Sequence, residues 1–206
     1  MKKKIIITGG LGYIGTELCK LYSGVSWHHN IVVIDNRFIS ERVNQIRNWN
    51  MEFVQGDILD KELIRKYCSK ADIVHHLAGI TSVPRTKNEA SIEQDKKIKE
   101  VGEQGTQNIL DVISNNCKII FPSTHVVYEG INEVKTNIKE NETTKPVLSY
   151  SSSKAVNEDQ LKKSGKNYVI LRLGSVYGYS TDSMRIDIMP NLISKISSQN
   201  GTLKLF

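Results

Sequence analysis

Tyr150 and Lys154 stand four residues apart in a stretch that reads as a helix starting at Ser149, so both side chains share one face. A cation held beside a phenol favours the phenolate and lowers a pKa that is ordinarily about 10. A tyrosine so placed can take a proton from an alcohol or return one to a ketone. Thr124, 26 residues before Tyr150, ends the run Lys118-Ile119-Ile120-Phe121-Pro122-Ser123, and its hydroxyl can bind the same oxygen. A tyrosine and a lysine at this spacing are also common on solvated helix faces. What gives the pair weight is order along the chain, with a glycine turn first, a strand ending in Ser-Thr next, and the pair last.

The glycine turn lies within Lys4 to Asp35. An apolar run, Lys4-Ile5-Ile6-Ile7, leads into Thr8-Gly9-Gly10-Leu11-Gly12-Tyr13-Ile14-Gly15, and helical spacing follows through Ile14, Leu18 and Leu21. A second run, Ile31-Val32-Val33-Ile34, ends on Asp35, twenty residues after Gly15. In a strand–turn–helix unit of this kind the glycines permit a tight turn, close approach of a pyrophosphate and close helix packing. The first N–H groups of the helix, about Tyr13 and Ile14, point at the diphosphate, which the helix dipole also favours. Asp35 can accept hydrogen bonds from the hydroxyls of an adenosine ribose. A 2′-phosphate would meet its charge, so the expectation is NAD in preference to NADP.

The other elements place these residues. Val43, Ile46 and Trp49 suggest a short helix, and Met51 to Gln55 a strand ending at Gly56-Asp57. Helical spacing from Lys61 to Ser69 leads to a strand at Ile73-Val74-His75-His76-Leu77, which stops at Ala78-Gly79. Ala90 to Asn115 reads as one helix or two, with Gly102 and Gly105 weakening its middle. After the strand that ends at Thr124 come a polar loop from Tyr128 to Pro146, the Ser149 helix, a sixth strand over Tyr168 to Leu173, a helix over Ile188 to Ile196 and a last apolar run, Leu203 to Phe206. Alternating strands and helices predict an α/β fold, a doubly wound parallel (Rossmann) sheet in the order 3-2-1-4-5-6. Ligands of such sheets gather beyond the carboxyl ends of the strands, where Gly79, Thr124 and Leu173 converge.

Composition narrows the function class. With 39% hydrophobic and 24% charged residues over 206 positions, the chain reads as an ordinary soluble protein of one to one and a half domains. The net charge of +6 is spread along the chain, which suits an anionic ligand and gives no clustered patch for nucleic acid. Only three isoleucines follow Met1-Lys2-Lys3-Lys4 before the glycines, too few for a secretory core, and no run reaches membrane-span length. Cys19, Cys68 and Cys117 read as reduced, buried thiols of a cytoplasmic protein. His75 and His76 are strand neighbours facing opposite ways, so no metal is expected. Arg85, in the loop after Gly79, has two readings, a phosphate contact or a solvated side chain.

Seven motifs in order carry a resemblance: the glycine turn, Asp35-Asn36, Gly56-Asp57-Ile58, His76-Leu77-Ala78-Gly79, Ser123-Thr124 with Val127-Tyr128, Tyr150 through Lys154, and Leu171-Arg172 with Val176-Tyr177-Gly178. Together they resemble the extended short-chain dehydrogenase/reductases, and within them the nucleotide-sugar epimerases and dehydratases, over nearly the whole chain. The resemblance implies that Gly9, Gly12 and Gly15 hold the NAD pyrophosphate, with Tyr13 and Ile14 beside it. It implies that Asp35 and Asn36 hold the adenosine ribose, that Asp57 and Ile58 flank adenine, and that Leu77, Ala78 and Gly79 line the middle of the cofactor. Thr124, Tyr150 and Lys154 would be catalytic, with Lys154 also on the nicotinamide ribose, and Thr81 and Ser175 would touch a UDP- or dTDP-linked sugar; His125, beside Thr124 at the mouth of the site, is a candidate for the same contact from its position. It further implies a homodimer.

The same comparison shows departures. Gly102 stands where the family often has asparagine, and Ser175 where its substrate loop has one. Family members also continue for roughly another hundred residues, to two-domain size. Residues 1–178 are therefore expected to form the NAD-binding unit and residues 179–206 the start of an incomplete substrate region. Family dehydratases tend to carry Asp-Glu directly after the active-site threonine; His125 and Val126 occupy those positions, favouring epimerase or simple oxidoreductase. Three functions remain open at this point: nucleotide-sugar epimerase or dehydratase, a catalytically silent NAD-binding protein, and a reductase or dehydrogenase of a non-sugar ketone or alcohol.

Overall fold

The structure, a computed structural model, describes residues 2–81, 91–180 and 183–203. Its centre is a six-stranded parallel sheet in the order β3-β2-β1-β4-β5-β6, the expected doubly wound order. The strands are β1 (Lys4–Thr8), β2 (Asn30–Asp35), β3 (Glu52–Gln55), β4 (Ile73–His76), β5 (Lys118–Thr124) and β6 (Asn167–Leu173). Register follows the apolar runs, Ile6 opposite Val32 on one side and Val74 on the other. Alternation then sends Ile6, Val32, Ile34, Val74, Ile119 and Phe121 to one face, and Ile5, Ile7, Ile31 and Val33 to the opposite face.

The first face is covered by α3 (Lys61–Cys68), α5 (Gly105–Val112) and α6 (Ser149–Lys163) through Ile64, Cys68, Ile109, Leu110 and Leu161. The second is covered by α1 (Tyr13–Ser23) and α2 (Ser40–Asn48) through Cys19, Val43 and Ile46. Asp60 caps α3 by accepting from the N–H groups of Glu62 and Leu63 at 3.0 Å each. All three cysteines are free and buried, as expected. No helix among the described residues is long and apolar enough to cross a membrane.

The stretch read as one helix or two is both. α4 (Ile92–Lys99) runs into a π-turn over Glu100–Gln104 and then into α5, without leaving the helical path. The wide turn falls around Gly102, where a β-carbon would lie 2.3 Å from Ser153 Oγ of α6, so a larger residue here would require that hydroxyl to move. Ala90, expected at the start of this helix, lies outside the described residues, as do residues 204–206 of the last apolar run. The expected last helix is α7 (Met189–Ser198). β5 extends past Phe121 through Pro122 because β4 stops pairing with it at Ile120, so the N–H that proline lacks is not needed on that side.

The two neighbouring histidines face opposite ways and are tied to hydroxyls. His76 bonds Thr8 Oγ1 through Nδ1 at 2.9 Å and Thr106 Oγ1 through Nε2 at 3.0 Å, while His75 Nε2 bonds the Tyr22 hydroxyl at 2.8 Å. Burial pushes His75 down to about 4 and His76, which the Lys154 ammonium also disfavours as a cation, to about 3. Below pH 6.5 the unfolded chain therefore takes up two protons that the folded chain refuses, and stability falls as pH falls toward these values. Between pH 7 and pH 5 the two histidines should together remove on the order of 3 kcal/mol. Urea unfolding at the two pH values measures this; a difference that persists undiminished in the His75→Gln, His76→Gln double variant would assign the loss elsewhere.

Candidate functional site

Beyond the carboxyl ends of the strands lies an open cleft of about 1840 Å³, and every described residue singled out above for cofactor, catalysis or substrate lines it. That volume exceeds the roughly 300–1,000 Å³ of a drug-sized pocket, leaving room for a dinucleotide and part of a second ligand.

The glycine turn forms the floor. Gly9 has φ +70°, and a β-carbon on it would lie 2.7 Å from the backbone nitrogen of Ala78, so only glycine fits between β1 and β4 here. A β-carbon on Gly15 would lie 2.4 Å from the Gly9 carbonyl, which is why α1 can start tight against the turn. Gly12 is the N-cap of α1, with no side-chain cap and no acidic residue in the first turn. The amide end of an eleven-residue helix thus meets the cleft without a carboxylate of its own, the surface a diphosphate requires. The residues present fit a dinucleotide.

Beyond the ends of β2 and β3, Asn36 Nδ2 donates to Asp57 Oδ2 at 3.2 Å, and Asp57 Oδ1 accepts from the Leu59 N–H at 2.9 Å. Ile58 is buried, and its carbonyl takes the Asn108 amide at 3.0 Å. Asp35 ends β2 as expected but does not stand open. It accepts from the Leu11 N–H at 3.0 Å and is paired with Arg37, a residue the sequence reading passed over. Arg42, on the same wall, donates to the Leu11 carbonyl at 2.5 Å.

Leu77, Ala78, Gly79 and Thr81 line the middle, and the Ala78 N–H donates to Thr8 Oγ1 at 3.3 Å. Arg85 lies outside the described residues. At the far end, Thr124 closes β5, and its Oγ1 accepts from the Val126 N–H at 3.3 Å, capping a 3₁₀ turn over His125–Tyr128. His125 Nδ1 donates to the Leu173 carbonyl at 3.1 Å, which holds its ring at the cleft mouth beside Ser175.

Tyr150 and Lys154 share a face of α6, but their electrostatics differ from expectation. The Lys154 ammonium donates to the Pro122 carbonyl at 2.9 Å and sits 4.4 Å from the centre of the Phe121 ring, against 5.9 Å from that of Tyr150. Burial there pulls Lys154 down to about 8. Burial likewise raises the Tyr150 phenol above its ordinary value, and the cation that opposes this is Arg185, not Lys154. The i, i+4 spacing aligns two side chains; the strand beneath decides where the ammonium turns.

One turn further along the same face, Glu158 accepts from Ser123 Oγ at 2.6 Å and from Arg172 at 2.8 and 2.6 Å, anchoring the helix to β5 and β6 below the site. Asn191 of α7 ties the segment after β6 to the start of α1. Its Oδ1 accepts from the Gly178 N–H at 3.0 Å and its Nδ2 donates to the Arg185 carbonyl at 2.8 Å, while the Tyr13 hydroxyl donates to the Gly178 carbonyl at 2.6 Å. No motif marked Asn191; its signal is a polar residue inside an otherwise apolar helical stripe. Among the described residues no group of three or more His, Cys, Asp or Glu is gathered for a metal.

Residues 5–206 match the pattern of the NAD dependent epimerase/dehydratase family. The chain belongs to this family. With membership comes the cofactor, NAD, and the glycine turn has the form this family's cofactor needs. A dTDP-D-glucose 4,6-dehydratase of Dictyostelium discoideum is 30% identical over 197 residues, spanning 85% of this chain and 44% of its own length. A UDP-glucose 4-epimerase of Neisseria meningitidis serogroup C is 30% identical over 169 residues, 76% of this chain and 46% of its own. The crystal structure of a UDP-glucuronic acid 4-epimerase from Bacillus cereus, in complex with UDP-glucuronic acid and NAD, superposes with a TM-score of 0.76 at 25% identity, covering 98% of this chain and 65% of that one. The chain thus spans about half the length of the curated relatives it matches.

Proposed function

We propose that these 206 residues bind NAD and carry the proton-transfer group of a nucleotide-sugar epimerase, with residues 1–178 as the cofactor-binding unit and residues 179–206 opening the substrate region. The observation that carries this reading is the gathering of the glycine turn, Thr124, Tyr150 and Lys154 in one cleft of a chain that matches the epimerase/dehydratase family. Gly9, Gly12, Gly15 and the first N–H groups of α1, at Tyr13 and Ile14, would hold the pyrophosphate. Asp35 and Asn36 would hold the adenosine ribose, Asp57 and Ile58 the adenine, and Leu77 to Gly79 the middle of the cofactor. Lys154, with its ammonium already at the Pro122 carbonyl, would hold the nicotinamide ribose.

Bound there, NAD supplies the oxidising equivalent, a hydride acceptor for a sugar carbon that can give the hydride back on the opposite face. The chain's own part is proton movement. Tyr150 takes the proton of the sugar hydroxyl through its phenol oxygen and later returns it, and Thr124 donates a hydrogen bond to the oxygen that becomes a carbonyl. Arg185, the cation that opposes the upward shift of the phenol, helps Tyr150 to give up its proton. Dehydration needs further acid–base groups beside the reacting oxygen. The two positions after Thr124 hold an imidazole bound to the Leu173 carbonyl and a valine, which favours epimerisation.

UDP- and dTDP-linked sugars are the substrate class, Thr81, His125 and Ser175 the side chains nearest to them, and a homodimer the expected assembly. Incubation with a panel of such sugars, followed by mass and NMR analysis, tests the reaction. A product of unchanged mass and inverted configuration is expected. Loss of one water would replace the reading with a dehydratase, and a stoichiometric build-up of reduced cofactor would replace it with a net oxidoreductase.

A further inference from the structure

Asp35 has no acceptor capacity left for a ribose. Its side chain is 3% exposed and takes four hydrogen bonds, from the Leu11 N–H (3.0 Å) and Arg37 Nη2 (3.2 Å) on Oδ2, and from the Arg37 N–H (3.1 Å) and Arg37 Nε (3.1 Å) on Oδ1. A carboxylate offers about four lone-pair sites, so ribose hydroxyls can donate to this one only if a present donor leaves. Two of the donors are backbone groups, one in the glycine turn and one two residues along the chain from Asp35 itself. The guanidinium is the movable one, on a side chain that is 53% exposed. It also overhangs the turn, with Nη2 4.0 Å from where a β-carbon on Gly12 would lie.

We propose that Arg37 sets the nicotinamide-cofactor preference of this cleft, by competing with the ribose of NAD for Asp35 and by pairing with the 2′-phosphate of NADP. The proposal rests on the placement of the adenosine ribose at Asp35 given above. NAD must displace the guanidinium and offers it nothing in return. NADP brings a dianion to the same spot; Asp35 repels it, but the released guanidinium, a planar fork of donors matched to phosphate oxygens, is already there. Arg42, at the Leu11 carbonyl, puts a second guanidinium on that wall. Asp35 alone would exclude NADP, whereas Asp35 with Arg37 yields a cleft that prefers NAD by a narrower margin.

Calorimetric titration of the native chain, Arg37→Ala and Asp35→Ala with NAD and with NADP, at one low salt concentration, decides the matter. In Arg37→Ala, NAD should bind about threefold tighter, the equivalent of an exposed ion pair no longer broken. NADP should bind about tenfold weaker or worse, through loss of a charge-assisted fork. Arg37→Met, which keeps the aliphatic stem, should behave the same way and guards against an effect of altered packing. If Asp35→Ala weakens NAD while both Arg37 variants leave the ratio of the two affinities unchanged, or weaken both cofactors equally, Arg37 has no part in specificity and the proposal is overturned while the ribose placement stands. If Asp35→Ala leaves NAD binding unchanged, the ribose does not lie at Asp35 and both fall.

Discussion

Tyr150→Phe is expected to bind NAD as the native protein does and to lose about a thousandfold in turnover, within the range that a positioned acid–base group supplies. The phenyl ring fills the same space on α6, and the elements that would hold the cofactor, the glycine turn, Asp35 and Lys154, make no hydrogen bond with the phenol oxygen that the change removes. The loss should therefore fall on kcat with little change in cofactor affinity. A second signature concerns pH. Burial holds the phenol above its ordinary value and Arg185 offsets only part of this, so the base form is scarce at neutral pH and native turnover should climb as pH rises. The variant's residual rate should lack that climb. Both are measured in a form of the protein with appreciable turnover; a Tyr150→Phe rate within a few fold of native, or an unchanged pH profile, would remove Tyr150 from the mechanism.

Much of the scaffold could be read from the sequence because the forces that make it are local. Ile5, Ile6 and Ile7 alternate between two buried faces, and Ile31 to Ile34 of β2 do the same, so pattern and fold agree. The strand order followed from the βαβ crossover rule together with the glycine turn that begins a doubly wound sheet. The π-turn over Glu100–Gln104 was not legible in the same way. Gly102 and Gly105 announced a weak point, but the packing of Gly102 against Ser153 of α6 is a contact between elements far apart in the chain, which no local pattern states.

The site divides along the same line. Residues at strand ends, such as Asp35, Ala78 and Thr124, had their positions dictated by topology and lie where expected around the cleft. What side chains do once there depends on neighbours brought in from elsewhere. Lys154 turns to Phe121 and Pro122 because a buried ammonium needs a carbonyl and gains from an aromatic face, and nothing in the Tyr150–Lys154 spacing states that choice. The saturation of Asp35 by Arg37 was in principle legible, since the two are only two residues apart. Reading a carboxylate at a strand end as a ribose acceptor leaves out a cation of the same chain that takes those lone pairs first.

The 206 residues by themselves are expected to bind NAD and to convert nucleotide sugars at least a hundredfold more slowly than a form extended to the length of the relatives, because a small misplacement of the reacting groups alone has that cost. The cofactor side of the cleft has a complete floor in the glycine turn and walls in Asp35, Asp57 and Ala78. The substrate side has less to offer. On that side the cleft is lined by residues such as Ser175, Val176 and Arg185, and these 206 residues span only 44% and 46% of the two relatives' lengths, whereas productive pockets bury most of a ligand. Binding energy from the nucleotide, remote from the reacting carbon, is what orients the sugar against the cofactor, and a partly built wall leaves that orientation unenforced. The deficit should appear in both kcat and KM for the sugar while cofactor affinity remains that of the longer form. Titration with NAD, followed by product analysis over a panel of UDP- and dTDP-linked sugars for both lengths, separates the cases. Equal turnover by the two would mean that the walls within these 206 residues suffice, and a 206-residue chain that fails to bind NAD would remove the cleft itself as the cofactor site.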